Sequence, residues 1–298
     1  MSMLDKLSRL KVPELSRRAF AAICALTALA LLIALWLASG QHTFDLFQTR
    51  GQIANRERTL LIFSMLLAAL VLVPVYYMLY TFAWRYKTGH DHKYSPNWDT
   101  DKKYETIWWG IPIAIITVLA AVTWVTSHSL DPYKPLNDDR QHLKVQVIAL
   151  QYKWLFLYPD QEVASVNKLV IPNKWPIELD ITSDAPMNSF WVPQLSGQIY
   201  AMPGMSTKLH LDAQQRGTFK GMSSNISGAD FSKMNFTVES VGIEDFKTWV
   251  TNAKQGGHFT ADSYTKLAKP GGAQPVTYHL HDKSIYDNAI MKYMGGHQ

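Results

Sequence analysis

Cysteine is nearly absent from this 298-residue chain, in which Cys24 is the single thiol. A single cysteine can form no disulfide within the chain, and it cannot supply a metal site that needs two thiolate ligands. Cys24 follows the bulky Ile23 and lies inside an apolar run that continues well beyond it. We therefore favour an unmodified Cys24 over a lipidated one.

Motifs for catalysis and for nucleic-acid binding are missing as well. The sequence contains no glycine-rich phosphate loop, nucleophile elbow or zinc-protease motif. Its 29 basic residues outnumber the 24 acidic ones, but they are spread along the chain and form no stripe interleaved with aromatic residues. The chain is therefore predicted to carry no active site of its own and to bind no nucleic acid.

Charged residues are absent from three apolar stretches, 19–39, 60–83 and 107–125. Each stretch has about twenty residues, enough for a helix to cross a hydrocarbon layer of ~30 Å. Basic clusters precede the first stretch and lie between the second and the third, which predicts that both flanks are cytoplasmic. The polar chain from residue 130 onward is then expected on the outer side of the membrane.

The first apolar stretch has two interpretations. Small residues at Ala38, Ser39 and Gly40 offer a cleavage site for a signal peptidase. The apolar run is longer than the roughly 7–15 residues of a typical cleaved signal, which favours a retained helix. The topology of the remaining chain is the same in either case.

Short apolar runs alternate with polar residues after residue 130. Ile177, Leu179 and Ile181 show the alternation of a strand with one buried face, and similar runs recur, broken by prolines and glycines. Strands are predicted at 145–149, 177–181, 190–192, 205–211, 218–222 and 235–238. The pattern indicates a β-sandwich or Greek-key barrel.

Helical spacing returns near the C-terminus. Phe246, Trp249, Val250 and Ala253 recur at the period of a helix, and a second helix is possible over 285–294. The predicted organisation has four parts. They are a basic segment with the first apolar helix (1–40), a transmembrane helical hairpin (41–129), an extracytoplasmic β domain (130–240) and an α-rich arm (241–298).

Several motifs resemble one known family. The segments MNSFWVP at 187–193 and YAMPGM at 200–205, after two apolar helices around Pro74 and Pro112, resemble subunit II of the haem-copper oxidases over residues 51–240. The segments YSPNW at 94–98 and QYKWLF at 151–156, with the C-terminal arm, are similar to the ubiquinol-oxidising, cytochrome bo-type branch. The resemblance implies a membrane-anchored protein with a cupredoxin-like Greek-key domain.

In the cytochrome c branch of this family, the resemblance implies a dinuclear copper centre with two bridging cysteines, two histidines, a methionine and a backbone carbonyl as ligands. The corresponding positions in this sequence are Asn188, Ser223, Asn225, Ser227, Phe231 and Met234. A serine hydroxyl is a hard ligand that stays protonated near pH 7, and a lone thioether does not hold copper. We therefore expect no metal or other cofactor in this chain. Tyr152 stands where the resemblance places the tryptophan that passes electrons from cytochrome c.

Two kinds of residue are candidates for a function in this chain, a carboxylate that could relay protons and histidines that could bind a metal. The resemblance places Glu105 at the cytoplasmic mouth of a proton pathway into the catalytic subunit, although an ordinary interfacial acid is the alternative. His279 and His281 would share a strand face and could bind a metal, but no third ligand is evident nearby in the sequence. His90 and His92 show a similar pairing. For both pairs we favour ordinary exposed histidines.

The leading hypothesis is a non-catalytic subunit II of a proton-pumping ubiquinol oxidase in a bacterial inner membrane. Its expected partners are subunit I, which would hold the haems and the copper, further oxidase subunits, ubiquinol bound by the complex, and the lipid bilayer. The alternatives are a membrane-anchored cupredoxin-like binding or assembly protein and a cytochrome c oxidase subunit II.

We expect intact-mass spectrometry of the purified chain to give the mass of the uncleaved and unacylated polypeptide. A mass that lacks residues 1–40 would show instead that the first apolar stretch is a signal peptide. A mass increased by acyl groups would show that Cys24 is lipidated.

Overall fold

The computed structural model describes residues 45–86, 101–136 and 140–294. The first predicted span, Cys24 and the pair His90 and His92 lie outside the described residues, so the expectations for them remain predictions. A short 3₁₀ turn, Asp45–Phe47, belongs to an N-terminal unit of residues 1–48. The rest of the chain, from Thr49, forms a second compact unit.

Two long apolar helices open the second unit. Helix α1 spans Gln52–Arg85 and helix α2 spans Lys102–Ser129, and each is long and apolar enough to cross a membrane. Most of their described side chains are exposed, as expected for surfaces that face lipid or another protein. Both helices extend beyond the predicted spans, because backbone hydrogen bonds continue the helix into polar flanks that an apolar pattern does not mark.

The N-terminal end of α1 is fastened to the β domain. The backbone amide of Gly51 donates to the carbonyl of Gln194 (3.1 Å), and the amide of Gln52 donates to the carboxylate of Asp212 (2.8 Å). A Cβ atom at position 51 would overlap the carbonyl oxygen of Leu195, so this close approach requires glycine. Asp212 thus supplies the N-terminal cap, and the negative charge that a helix N-terminus favours, from a distant part of the chain.

The β domain contains twelve strands within residues 140–294. They are β1 Leu143–Leu150, β2 Lys153–Tyr158, β3 Val163–Val166, β4 Lys168–Pro172, β5 Ile177–Ser183, β6 Asn188–Trp191, β7 Ile199–Ala201, β8 Thr207–Leu211, β9 Gly217–Ser223, β10 Asn235–Val241, β11 His258–Phe259 and β12 Val276–Leu280. One sheet has the order β11-β12-β3-β2-β1-β5-β8, and the other has the order β4-β10-β9-β6-β7. The predicted membrane-anchored β-sandwich is confirmed.

Aromatic side chains fill the space between the two sheets. Trp154 packs edge-on against Phe190 with ring centroids 5.4 Å apart, and Phe190 stacks on Phe236 at 5.0 Å. Phe156 lies 5.2 Å from Phe236. All four side chains are at most 3% exposed. Rings at these separations add attraction to the free energy that their burial contributes.

The larger sheet is buried on both faces, which explains why strand alternation is blurred at Ile148. Val145 and Val147 face the space between the sheets, whereas Ile148 and Leu150 belong to a second apolar cluster on the opposite face. This second cluster includes Leu280 and other residues of the C-terminal arm. Strands with two buried faces read as continuous apolar runs.

The C-terminal arm is α-rich, as predicted, and it also contributes two strands, of which the sequence indicated only the one that contains His279. Its helices are α3 Ile243–Lys254, α4 Ala261–Leu267 and α5 Ile285–Met294. Strands β11 and β12 extend the larger sheet beyond β3. Lys153 donates to the carbonyls of Leu267 and Lys269 (both 2.8 Å), which holds the end of α4 against β2.

A buried carboxylate fastens the arm to the domain. The side chain of Asp184, at the end of β5, is 1% exposed and accepts hydrogen bonds of 2.7 Å from Tyr264, Lys292 and Tyr293. Burial raises the pKa of Tyr264, and its hydrogen bond to Asp184 raises the pKa further, so the phenol stays a donor. Residues from α4 and α5 thus converge on one side chain.

We expect Asp184→Ala to lower the free energy of unfolding by about 2–4 kcal/mol, because three donors lose a charged acceptor. Urea unfolding of the full chain in detergent measures this loss, and limited proteolysis should cut the arm faster. Asp160→Ala removes an exposed acid in the β2–β3 turn and should change stability by less than about 0.5 kcal/mol. Equal unfolding midpoints for the two variants would contradict the role of Asp184.

Candidate functional site

Four of the six predicted copper-site positions are in direct contact. Strand β6 pairs with the end of β9, with Ser223 opposite Phe190 and therefore within reach of Asn188, two residues earlier in β6. The Ser223 hydroxyl donates to the Asn188 side-chain oxygen (3.0 Å) and lies 3.4 Å from the carbonyl oxygen of Asn225. The backbone amide of Ser223 donates to the carbonyl of Met234 (3.1 Å). Sheet pairing therefore gathers these positions at one end of the sandwich.

The other two positions lie in the loop that joins β9 to β10. Ser227 is half-buried there, and Phe231 begins a 3₁₀ turn, Phe231–Lys233, that leads into Met234. The amide of Met234 donates to the carbonyl of Phe231 (3.0 Å). Met234 itself is 1% exposed and belongs to the core between the sheets.

The polar side chains at these positions make hydrogen bonds to one another and to nearby backbone carbonyls. The Asn188 amide donates to the carbonyl of Pro186 (2.7 Å), and the Asn225 amide donates to the carbonyl of Met187 (2.8 Å). Hydroxyl and amide oxygens are hard donors, whereas a bridged copper pair needs thiolates. The residues at these six positions do not fit such a centre.

Tyr152 lies against the same loop. It occupies the tight turn between β1 and β2 with φ of 67°. A Cβ atom at Gly228, which has φ of 138°, would lie 2.5 Å from the Tyr152 hydroxyl oxygen. The loop can therefore pass over Tyr152 only because position 228 is glycine.

Glu105 lies at the opposite end of the molecule from this loop. It is exposed in the first turn of α2, beside Lys102 and Lys103, where Asp101 caps the helix by accepting from the amide of Lys103 (2.9 Å). The 24 residues from Glu105 to Ser129 span about 36 Å of helix. Glu105 and the β domain therefore lie at opposite ends of a membrane-length helix.

The arm brings a third histidine to the predicted pair. His258 in β11 pairs with His279 in β12, and its ring centroid lies 5.5 Å from those of both His279 and His281. The sequence offered no third ligand, because β11 lies some twenty residues upstream of β12. Histidines in a two-residue strand leave no periodic signal from which this pairing could be predicted.

Sequence reasoning also missed a group of side chains that could hold a metal ion. His142, Glu178 and His210 place their ligand atoms within 4.8 Å of one another. The only signal in the sequence was the alternation that puts Glu178 and His210 on the outward faces of two strands. The register that sets these two residues side by side is a property of the sheet.

Two family models match the chain. The model described as "Cytochrome C oxidase subunit II, periplasmic domain" matches residues 160–241, and the "COX Aromatic Rich Motif" matches 254–297. Together with two membrane-length helices, this β domain and its arm define a class of protein, the membrane-anchored, cupredoxin-like subunit II of the haem-copper oxidases.

Similar proteins indicate which branch of this class the chain belongs to. Subunit 2 of the cytochrome bo(3) ubiquinol oxidase of Pseudomonas aeruginosa is 41% identical over 85% of this chain and 78% of the relative. The Pseudomonas putida protein of the same description is 42% identical over 79% and 76%. Ubiquinol oxidase subunit 2 of Acetobacter aceti is 40% identical over 85% and 83%. The chain belongs to the ubiquinol oxidase subunit 2 family.

Proposed function

We propose that this chain is a non-catalytic subunit II of a proton-pumping ubiquinol oxidase, an enzyme that oxidises ubiquinol and reduces oxygen to water. The haems and the copper belong to a separate subunit I, and this chain holds no dinuclear copper centre. It lies in a bacterial inner membrane with its β domain on the periplasmic side.

The observation that supports this proposal most is the hydrogen-bonded loop around Ser223. Electron entry from cytochrome c requires an acceptor at the outer surface, and a thiolate-bridged copper pair is the acceptor in the cytochrome c branch. Here Asn188, Ser223 and Asn225 use their polar atoms on one another and on backbone carbonyls. Electrons must then reach subunit I by another route, and a membrane quinol provides one.

The exposed surfaces of α1 and α2 are suited to packing against subunit I and supporting it in the membrane. The described side chains of α1 and α2 expose apolar surface along most of their length, enough to pack against both lipid and a larger membrane subunit. The hydrogen bonds at Gly51 and Gln52 fix where α1 leaves the β domain. The chain can therefore hold a rigid periplasmic cover over the outer face of subunit I.

We expect the tagged full chain, purified in mild detergent from its own membranes, to carry haem and a haem-bearing subunit with it. Difference spectra and mass spectrometry of the eluate measure both. Recovery of the chain alone, without a haem spectrum, would favour a binding or assembly protein. The chain separated from subunit I should develop no thiolate-to-copper absorption when copper is added, and such absorption would indicate a cytochrome c oxidase subunit.

We also propose that Glu105 delivers protons to subunit I at the cytoplasmic surface. A carboxylate at a membrane boundary can collect and relay protons. Its position about 36 Å along α2 from the β domain supports this role, because it puts the carboxylate on the cytoplasmic side.

Glu105→Ala should lower oxygen-reduction turnover and proton pumping of the assembled oxidase by about tenfold, because a proton relay group is lost. Glu105→Asp keeps the carboxylate and should recover most of the rate. Lys103→Ala changes a neighbouring charge and serves as the matched control. Turnover and pumping that stay normal in Glu105→Ala would rule out the relay.

A further inference from the structure

Two histidines and a glutamate meet at an edge of the larger sheet, far along the chain from one another. Glu178 of β5 stands directly opposite His210 of β8. His142 immediately precedes β1, whose first residue, Leu143, pairs with Ile177. The ligand atoms of the three side chains all lie within 4.8 Å of one another.

A backbone carbonyl fixes the ring of His210. Its Nδ1 atom lies 2.9 Å from the carbonyl oxygen of Pro132, and the side chain is 3% exposed. A carbonyl oxygen can only accept, so Nδ1 is the donor, and Nε2 is the ring nitrogen that remains to bind a metal. This Nε2 atom lies 3.9 Å from a carboxylate oxygen of Glu178. Two atoms that can bind a metal thus face each other across a gap.

The carboxylate of Glu178 is oriented as well. Its Oε1 atom accepts from Lys208 (2.7 Å), while Oε2 is the oxygen nearest His210. One carboxylate oxygen is therefore held by Lys208, and the other is turned toward the histidines.

The loop that carries His142 is fastened on its other side. The indole of Trp175 donates to the carbonyl of Gln141 (3.1 Å), and the guanidinium of Arg140 lies 4.9 Å from the centre of the Trp175 ring. The rings of His142 and His210 meet edge to face, with centroids 5.7 Å apart. The third donor therefore comes from a segment whose backbone is held in place.

We infer that His142, Glu178 and His210 bind a divalent transition-metal ion of the Zn²⁺ type. Zinc takes histidine nitrogens at about 2.0–2.1 Å and carboxylate oxygens at about 2.0–2.2 Å, which puts tetrahedral donors about 3.4 Å apart. The gap of 3.9 Å between His210 and Glu178 is close to this spacing. Two histidines and one carboxylate leave a fourth position for water, and the carbonyl of Pro132 orients His210 as outer-shell partners of zinc ligands do.

The bound ion would lie beside the segment that joins helix α2 to the β domain. Pro132 follows the end of α2 by three residues, and its carbonyl also accepts from the backbone amide of His210 (3.2 Å). A metal held by His142, Glu178 and His210 would join β1, β5 and β8 beside this junction. It would stiffen the point at which the second span enters the β domain. This site lies apart from the loop around Ser223.

Zinc binding to the full chain, freed of metal in detergent and carrying a histidine-free tag, tests the inference. We expect one tight equivalent by equilibrium dialysis, and Co²⁺ at the same site should give the visible bands of a tetrahedral ion. Glu178→Gln and His142→Ala should each weaken binding by at least about tenfold. His142 is only half-buried, so its loss should leave the fold intact, which an unchanged urea midpoint would check.

The histidines of the arm provide the matched control. A double variant, His258→Ala with His279→Ala, removes the second histidine cluster and should keep the tight equivalent. The inference would be overturned if the wild-type chain bound no zinc, or if tight binding persisted in both Glu178→Gln and His142→Ala. Loss of tight zinc binding in the double variant would overturn it as well. None of these outcomes depends on whether the chain assembles with an oxidase, so failure here leaves the proposed function standing.

Discussion

Apolar packing between the two sheets is the constraint on which the rest of this structure depends. Trp154, Phe156, Phe190 and Phe236 form a continuous set of ring contacts at 5.0–5.5 Å, with Met234 beside them in the same core. No thiolate or imidazole from the loop around Ser223 is needed to fill this space. Serine and asparagine can therefore occupy the loop without loss of the sandwich, because the fold rests on buried apolar surface.

The second face of the larger sheet is likewise buried by apolar packing, in this case against the C-terminal arm. Ile148, Leu150 and their neighbours are covered by the arm, which adds two strands and packs α5 against the sheet. Asp184 gives this apolar contact a defined position, since three donors from α4 and α5 fit one carboxylate. The arm is thus part of the domain core.

Much of the fold was predictable because its signals are local. The two described spans are long uncharged runs, the strand at Ile177 alternates with period two, and α3 repeats with the period of a helix. The positions around Ser223 could be located because they lie within short motifs. Strand β11 could not be predicted, because it has only two residues, and neither could the pairing of β12, because its partner strand lies more than a hundred residues earlier.

The sequence by itself determined that no site in this chain can use two thiolates, and that uncharged segments long enough to cross a membrane precede a β domain. Both conclusions follow from residue counts and local periodicity. Only the tertiary structure decided which polar side chains meet. His142, Glu178 and His210, or His258 and the pair in β12, become neighbours through strand register and sheet order. Register is set by the packing of whole faces, so it is not encoded in the residues immediately around each ligand.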